Sequence, residues 1–131
     1  MTLTINREQA FVNQFHYDAR NFEWEAENET PETNLNVQFQ LVTGEQVDSK
    51  IGPDDTALHA VLTFVIPLET IIISGFVSQM NYIQARKIES QDQLEQEEMA
   101  EIAAPLFDLL QRLTYETTEV ALDQPGINLQ F

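Results

Sequence analysis

Pro105-Leu106-Phe107, running on through Leu110, Leu113 and Thr117 to Asp123-Gln124-Pro125-Gly126-Ile127-Asn128-Leu129-Gln130-Phe131, reads as one amphipathic helix, a break and an extended end. Met99, Ala103, Leu106, Leu110, Leu113, Thr117 and Val120 follow one another at alternating steps of four and three, which places them on a single helical face. Such a face needs an apolar partner, and everything upstream looks like β-strand. We therefore expect a sheet built by the first two-thirds of the chain, with the helix on one face of it. Glu97 and Glu98 put carboxylates at the helix start, beside the positive end of its dipole. Pro105 is expected to mark the first turn of the main segment, about Pro105 to Ala121, because a residue without an N–H is tolerated there.

Working back from the helix, four strands are expected. In the first, Ala10 to Asp18, Phe11, Asn13, Phe15 and Tyr17 share one face by alternation. Phe22 to Thr33 begins with an aromatic alternation and dissolves into acids and a proline, which predicts a short strand end and a solvated loop. In the second strand Leu35, Val37, Phe39 and Leu41 alternate with Asn36, Gln38 and Gln40, one dry face and one wet. Gly44 through Asp55 has turn composition. In the third strand Leu58, Ala60, Leu62, Phe64 and Ile66 form one face and His59, Val61, Thr63 and Val65 the other. Pro67-Leu68-Glu69-Thr70 is the reversal, and Ile71 to Ile83 returns as the fourth strand, where Gly75 predicts a bulge or a close backbone approach. The expectation is the α+β class: a four-stranded antiparallel meander with one long C-terminal helix packed on one face.

A chain of 131 residues, 43% hydrophobic, suits a single domain over 1–131 with its own core. Its 22 Asp and Glu stand against 6 Lys and Arg, a net charge of -16. Six scattered cations cannot make the basic stripe that nucleic acid or an anionic membrane surface requires, so neither is expected as a partner. An acidic surface serves solubility or a basic partner protein. With no cysteine, disulfides, thiol catalysis and cysteine metal sites are excluded. The N-terminus, Met1-Thr2-Leu3-Thr4-Ile5-Asn6-Arg7, has no secretory pattern, which predicts a cytoplasmic protein and makes the sequon Asn28-Glu29-Thr30 a chance occurrence. The apolar run Ala57 to Phe76 is long enough to span a membrane but carries His59, Pro67, Glu69 and Thr70, and a hairpin is expected instead.

Chemistry-bearing patterns are sparse. His16 and His59 lie in different strands, and a metal site or acid–base pair would need those strands adjacent and further ligands. Glu95, Glu97, Glu98 and Glu101 fall in the most polar part of the chain and read as a solvated surface rather than a desolvated acid–base pair. The four glycines are dispersed, and neither a phosphate-cradling loop, a calcium loop nor a nucleophile elbow occurs. No catalytic residue, cofactor or metal is expected, and the protein is not expected to be an enzyme. What remains is surplus apolar surface: Val61, Val65, Ile72, Phe76 and Met80 fall where a one-sided helix leaves them uncovered.

In order, the four-strand region, the strand with Gly75-Phe76, the helix entered through Pro105-Leu106-Phe107, and Pro125-Gly126-Ile127-Asn128-Leu129 resemble the SecB-like family, whose type member is the bacterial export chaperone. The last segment looks like the Pro-x-Leu-Asn-Leu that follows the main helix there, and the resemblance covers roughly residues 10 to 131. The closing run from Leu113 to Phe131 is similar to an uncharacterised branch of that family from low-GC Gram-positive bacteria, grouped as a domain of unknown function.

The resemblance implies a homo-oligomer, dimer or tetramer, with helices packed between subunits, Leu106, Leu110, Leu113 and Thr117 forming the oligomer face. It implies apolar grooves that hold unfolded or partly folded polypeptide, with Trp24, Phe39, Phe64, Phe76 and Met80 as client-binding residues. The implied function is a holdase-type chaperone, with protein export as one use the family makes of it. The alternative is a structural or regulatory interaction module whose apolar face serves self-assembly or one specific partner. The chaperone continues into a second helix and a tail where this chain stops at Phe131, so coupling to an export motor is not implied.

Overall fold

The computed structural model describes residues 3–44 and 51–131. Strands β1 (Ile5–Arg7), β2 (Phe11–Ala19), β3 (Asn34–Leu41), β4 (Thr56–Pro67) and β5 (Ile71–Ile83) form one antiparallel sheet. A short helix α1 (Phe22–Glu27) lies between β2 and β3, and a long helix α2 (Gln96–Leu122) follows a single 3-10 turn at Gln91–Gln93. Of the loop expected over 44–55, residues 45–50 lie outside the described residues.

The β4–β5 hairpin is the centre of the sheet, reversed at Leu68, whose N–H donates to the Ile71 carbonyl at 2.8 Å. It accounts for the apolar run from Ala57 to Phe76, and among the described residues no helix is long and apolar enough to cross a membrane. The expected meander changes in two ways. A fifth strand, β1, pairs with the far end of β5, and β2 pairs with β5 rather than with β3. The spatial order is therefore β1 and β2 on one side of β5, then β4, then β3. The physical reason lies in β5, which is apolar on both faces and suits a central position, whereas β3 carries its amides on the face away from α2 and tolerates an edge.

Helix α1 carries the chain from one edge to the other and replaces the expected strand end. Asn21 accepts the Trp24 N–H at 3.0 Å as N-cap, and Glu23 and Glu25 sit in the first turn, a start that the aromatic alternation concealed. In β2 the register slips between Val12 and Gln14. The bulge turns Phe11 to the face opposite Phe15 and Tyr17, so the three do not share a face as expected. Phe15 instead reaches the core, its ring centroid 6.1 Å from that of Phe64. Gly75 takes φ +146°, and a Cβ there would stand 2.0 Å from the Gln14 carbonyl oxygen, the close approach its position predicts.

Leu58, Leu62, Phe64, Ile73, Val77 and Ile83 form the dry face, closed by Ile102, Leu106 and Leu110 of α2. Each such side chain contributes about 1.5–3 kcal/mol by leaving water. Helix α2 opens with a capping box in which Glu95 and Glu98 serve each other's backbone N–H, and Glu98 is also ion-paired to Arg86. Pro105 does not mark its first turn; it sits inside one continuous helix. A proline there leaves the Glu101 carbonyl without its helical donor, and Arg7 of β1 supplies one, Nη2 to oxygen at 2.7 Å. The Leu3 N–H donates to the Glu101 carboxylate at 3.4 Å, so the N-terminal strand clips onto the helix at one residue.

Past Asp123, which takes left-handed φ and ψ of 49° and 49°, the chain turns back along α2. Thr118 Oγ1 accepts the Ile127 N–H and donates to the Thr114 carbonyl, both at 2.8 Å, and Gln111 Nε2 donates to the Leu129 carbonyl at 3.1 Å. Phe131 meets Phe107 edge-on at 5.2 Å. This tail covers the last turns of the helix, so the buried line runs from Leu110 to Thr114 and Thr118 rather than through Leu113, Thr117 and Val120. Val120 is 81% exposed.

Candidate polypeptide-binding face

The sheet's second face is the side that α2 does not cover. On it β4 presents His59, Val61, Thr63 and Val65, and β5 presents Ile72, Ser74, Phe76, Ser78 and Met80. Register sets Val61 opposite Ser78, Thr63 opposite Phe76 and Val65 opposite Ser74, so apolar and small polar groups form a checkerboard. Val61, Val65, Ile72, Phe76 and Met80 are each half-buried, flanked by neighbours in the sheet but not roofed by them. The β2 bulge adds Phe11 to this face opposite Ser78, where it is 63% exposed.

At one end α1 borders the face and forms with it an open cleft of about 520 Å³, with Trp24, Val65 and Ile72 among its apolar lining and Glu25, Glu29 and Glu32 among its acids. Arg20 holds this end together. Its guanidinium grips Glu25 with two bonds, 3.1 and 2.6 Å, donates to the Leu68 carbonyl at 2.8 Å, and lies 4.7 Å from the Phe22 ring centroid. The Arg20 bond holds the Glu25 carboxyl below the ordinary glutamate range. Trp24 is left 56% exposed on the adjoining surface.

Of the residues expected to meet clients, Trp24, Phe76 and Met80 border this face. Phe39 lies on the other side of the sheet, in a cleft of about 210 Å³ between β3 and α2, lined also by Val37, Met99, Ala103 and Phe107. Phe64 is 0% exposed in the core and has no surface to offer. Of the expected oligomer face, Leu106 and Leu110 are likewise consumed in packing α2 onto its own sheet, while Leu113 and Thr117 are half-buried. The register parity of β4 already set Phe64 with Leu58 and Leu62. Sequence reasoning missed the Arg20–Glu25 grip and the turn of Phe11; Asn21 followed by two acids was the available signal for the first, and none existed for the second.

The histidines are not brought together. His16 pairs with Ser74 and His59 with Met80, about 20 Å apart along β5 at 3.3 Å per residue. Among the described residues no group of three His, Cys, Asp or Glu could hold a metal ion. Glu95 and Glu98 are engaged in capping α2 and Glu101 in holding Leu3 ahead of β1, and Glu98 is buried rather than part of the expected solvated surface. What the site can do chemically is bind apolar surface beside acidic groups.

No curated protein matches the chain. Among solved structures, the chain is similar over 100% of both lengths to a protein of unknown function from Streptococcus agalactiae, with 48% identity and a TM-score of 0.90. A SecB-like chaperone of Mycobacterium tuberculosis, solved in complex with a peptide from an antitoxin, shares the fold at 8% identity and a TM-score of 0.53, over 97% of this chain and 90% of that one. The antiparallel sheet with one long C-terminal helix is thus a SecB-like α+β fold. DUF1149, a family of proteins of unknown function, matches residues 3–131, and the chain belongs to it.

Proposed function

We propose that this protein is a non-catalytic, holdase-type binder of unfolded or partly folded polypeptide, taking its clients on the uncovered sheet face. The observation that carries the reading is the apolar checkerboard of Val61, Val65, Ile72, Phe76 and Met80, continuous with exposed Trp24 at one end and Phe11 at one side. Aromatic and methionine side chains give large, adaptable contact area suited to varied clients. The fold shared with a chaperone solved with a peptide supports the same reading. The proposal is of a cytoplasmic homo-oligomer, dimer or tetramer, with protein export as one use of such a holdase and a basic protein as a fitting partner for its surface. The competing reading, an interaction module, draws on the half-burial of the same residues, which suits a face closed by self-assembly.

Light scattering with and without a reduced, slow-folding polypeptide, with aggregation followed in the same samples, tests both. A stable complex and suppression at near-stoichiometric amounts support the holdase, and Phe76→Ser should weaken both without altering the fold. An oligomer that ignores the polypeptide overturns it and leaves the interaction module.

A further inference from the structure

The two edges of the sheet are built differently. At β2 the bulge between Val12 and Gln14 breaks the ladder, and Asp18 adds a charge, both devices that discourage pairing with another chain. At β3 neither appears. Its eight residues pair with β4 in unbroken register, and from Asn34 to Gly44 there is no charged residue, in a chain where 21% of residues are charged.

The backbone of β3 can be oriented residue by residue. The Val42 N–H donates to the Ala57 carbonyl at 3.0 Å, so residue 42 points its polar backbone groups at β4. Alternation in an antiparallel ladder then aims those of Gln40, Gln38, Asn36 and Asn34 inward and those of Leu35, Val37, Phe39 and Leu41 outward. Among the described residues no strand pairs with that outward side. The same four residues turn their side chains to the α2 face, where Val37 and Phe39 open the cleft with Met99, Ala103 and Phe107.

We infer that the free edge of β3 takes an extended client segment as an added antiparallel strand, its backbone bonded to Leu35, Val37, Phe39 and Leu41 and one apolar side chain lodged in the cleft under α2. This rests on the polypeptide-binding reading and adds to it a site that recognises main chain, which every client has. Two observations favour a client segment over a second copy. Edge pairing of two eight-residue strands runs about 27 Å and buries on the order of 600 Å², below the roughly 1,200 Å² of a stable specific interface. A second copy would also bring a further charge of -16 against the first, whereas an uncharged segment meets an uncharged edge.

The test uses a fluorescein-labelled peptide that alternates Thr with Val, Leu and Phe, and in parallel the reduced polypeptide described above. Val37→Pro removes one outward N–H and leaves the ladder to β4 intact; Val37→Thr keeps that N–H. The expected result is binding about tenfold weaker for Val37→Pro and little changed for Val37→Thr. Hydrogen exchange of the wild-type protein supplies a readout independent of any variant: the amides of Leu35, Val37, Phe39 and Leu41 should exchange fast when free and slow in the complex. Peptide binding that leaves those four amides unprotected, or that Val37→Pro does not weaken, overturns the inference alone. The four amides already slow in a free dimer would also overturn it, assigning the edge to a second copy. Wild-type protein that binds neither probe would sink the polypeptide-binding reading itself.

Discussion

Replacing Arg7 by Met should reveal how a proline is accommodated inside α2. Arg7 Nη2 donates to the Glu101 carbonyl at 2.7 Å, the one acceptor that Pro105 deprives of its helical partner. A hydrogen bond from a charged donor is worth about 1.5–3 kcal/mol, but this one is exposed and water can replace part of it, so a loss of about 1 kcal/mol is expected. With unfolding entropy near 2.1 cal/mol/K per residue over 131 residues, each kcal/mol corresponds to about 4 °C in Tm. Pro105→Ala restores an N–H facing Glu101 and removes the ring, for a gain of about 1–2 kcal/mol after allowing for the freer unfolded chain. In that background Arg7→Met should cost only about 0.3 kcal/mol, since the carbonyl keeps a donor. Urea melts of the four proteins followed by circular dichroism give the coupling, expected near 0.7 kcal/mol. Equal costs of Arg7→Met in the two backgrounds would refute the capping role and reduce Arg7 to a surface charge.

Gly75→Ala puts a Cβ against the Gln14 carbonyl at a positive φ and should cost about 3 kcal/mol or more, read as a lowered urea midpoint; an unchanged midpoint would mean that β2 can shift without penalty. Thr118→Val removes the acceptor for the Ile127 N–H and should cost about 1–2 kcal/mol with faster exchange of that amide, whereas unchanged exchange would show that the tail is held elsewhere. Because Arg20 depresses the Glu25 pKa, the pair stabilises the fold above the ordinary glutamate value of about 4.5, and that contribution fades as pH falls through the lowered folded value. Arg20→Met should therefore flatten the acid limb of urea midpoint against pH, and an identical limb in both proteins would contradict the assignment.

The β4–β5 hairpin and β3 were legible because their runs are long and alternate without interruption, and α2 because its apolar steps hold over many turns. Three residues of β1 carry no periodic signal, and α1 was masked by Phe22 and Trp24 at strand spacing. Strand order was hidden for a different reason: nothing local in β2 names β5 as its neighbour. The placement of Pro105 depended on a donor that reaches Glu101 from 94 residues away, which no pattern around the proline records. The candidate residues divide along the same lines. Alternation separates Phe76 and Met80 from the core positions of β5, whereas the cleft beside Phe39 exists only once α2 is laid across the sheet.

The pairing of β2 with β5 also dictates the order in which this protein can be assembled. During synthesis β2 leaves the ribosome before three intervening elements and must wait, with Val12, Phe15 and Tyr17 unsatisfied, until β5 appears. The β3–β4–β5 unit can close first because its strands pair with their neighbours in sequence, whereas β2 must be joined to β5 across α1, β3 and β4. Until it is, β5 shows a bare edge to whatever surrounds it, the condition in which chains aggregate. The hazard that the proposed holdase role would relieve in other chains is one that this topology obliges the protein itself to pass through.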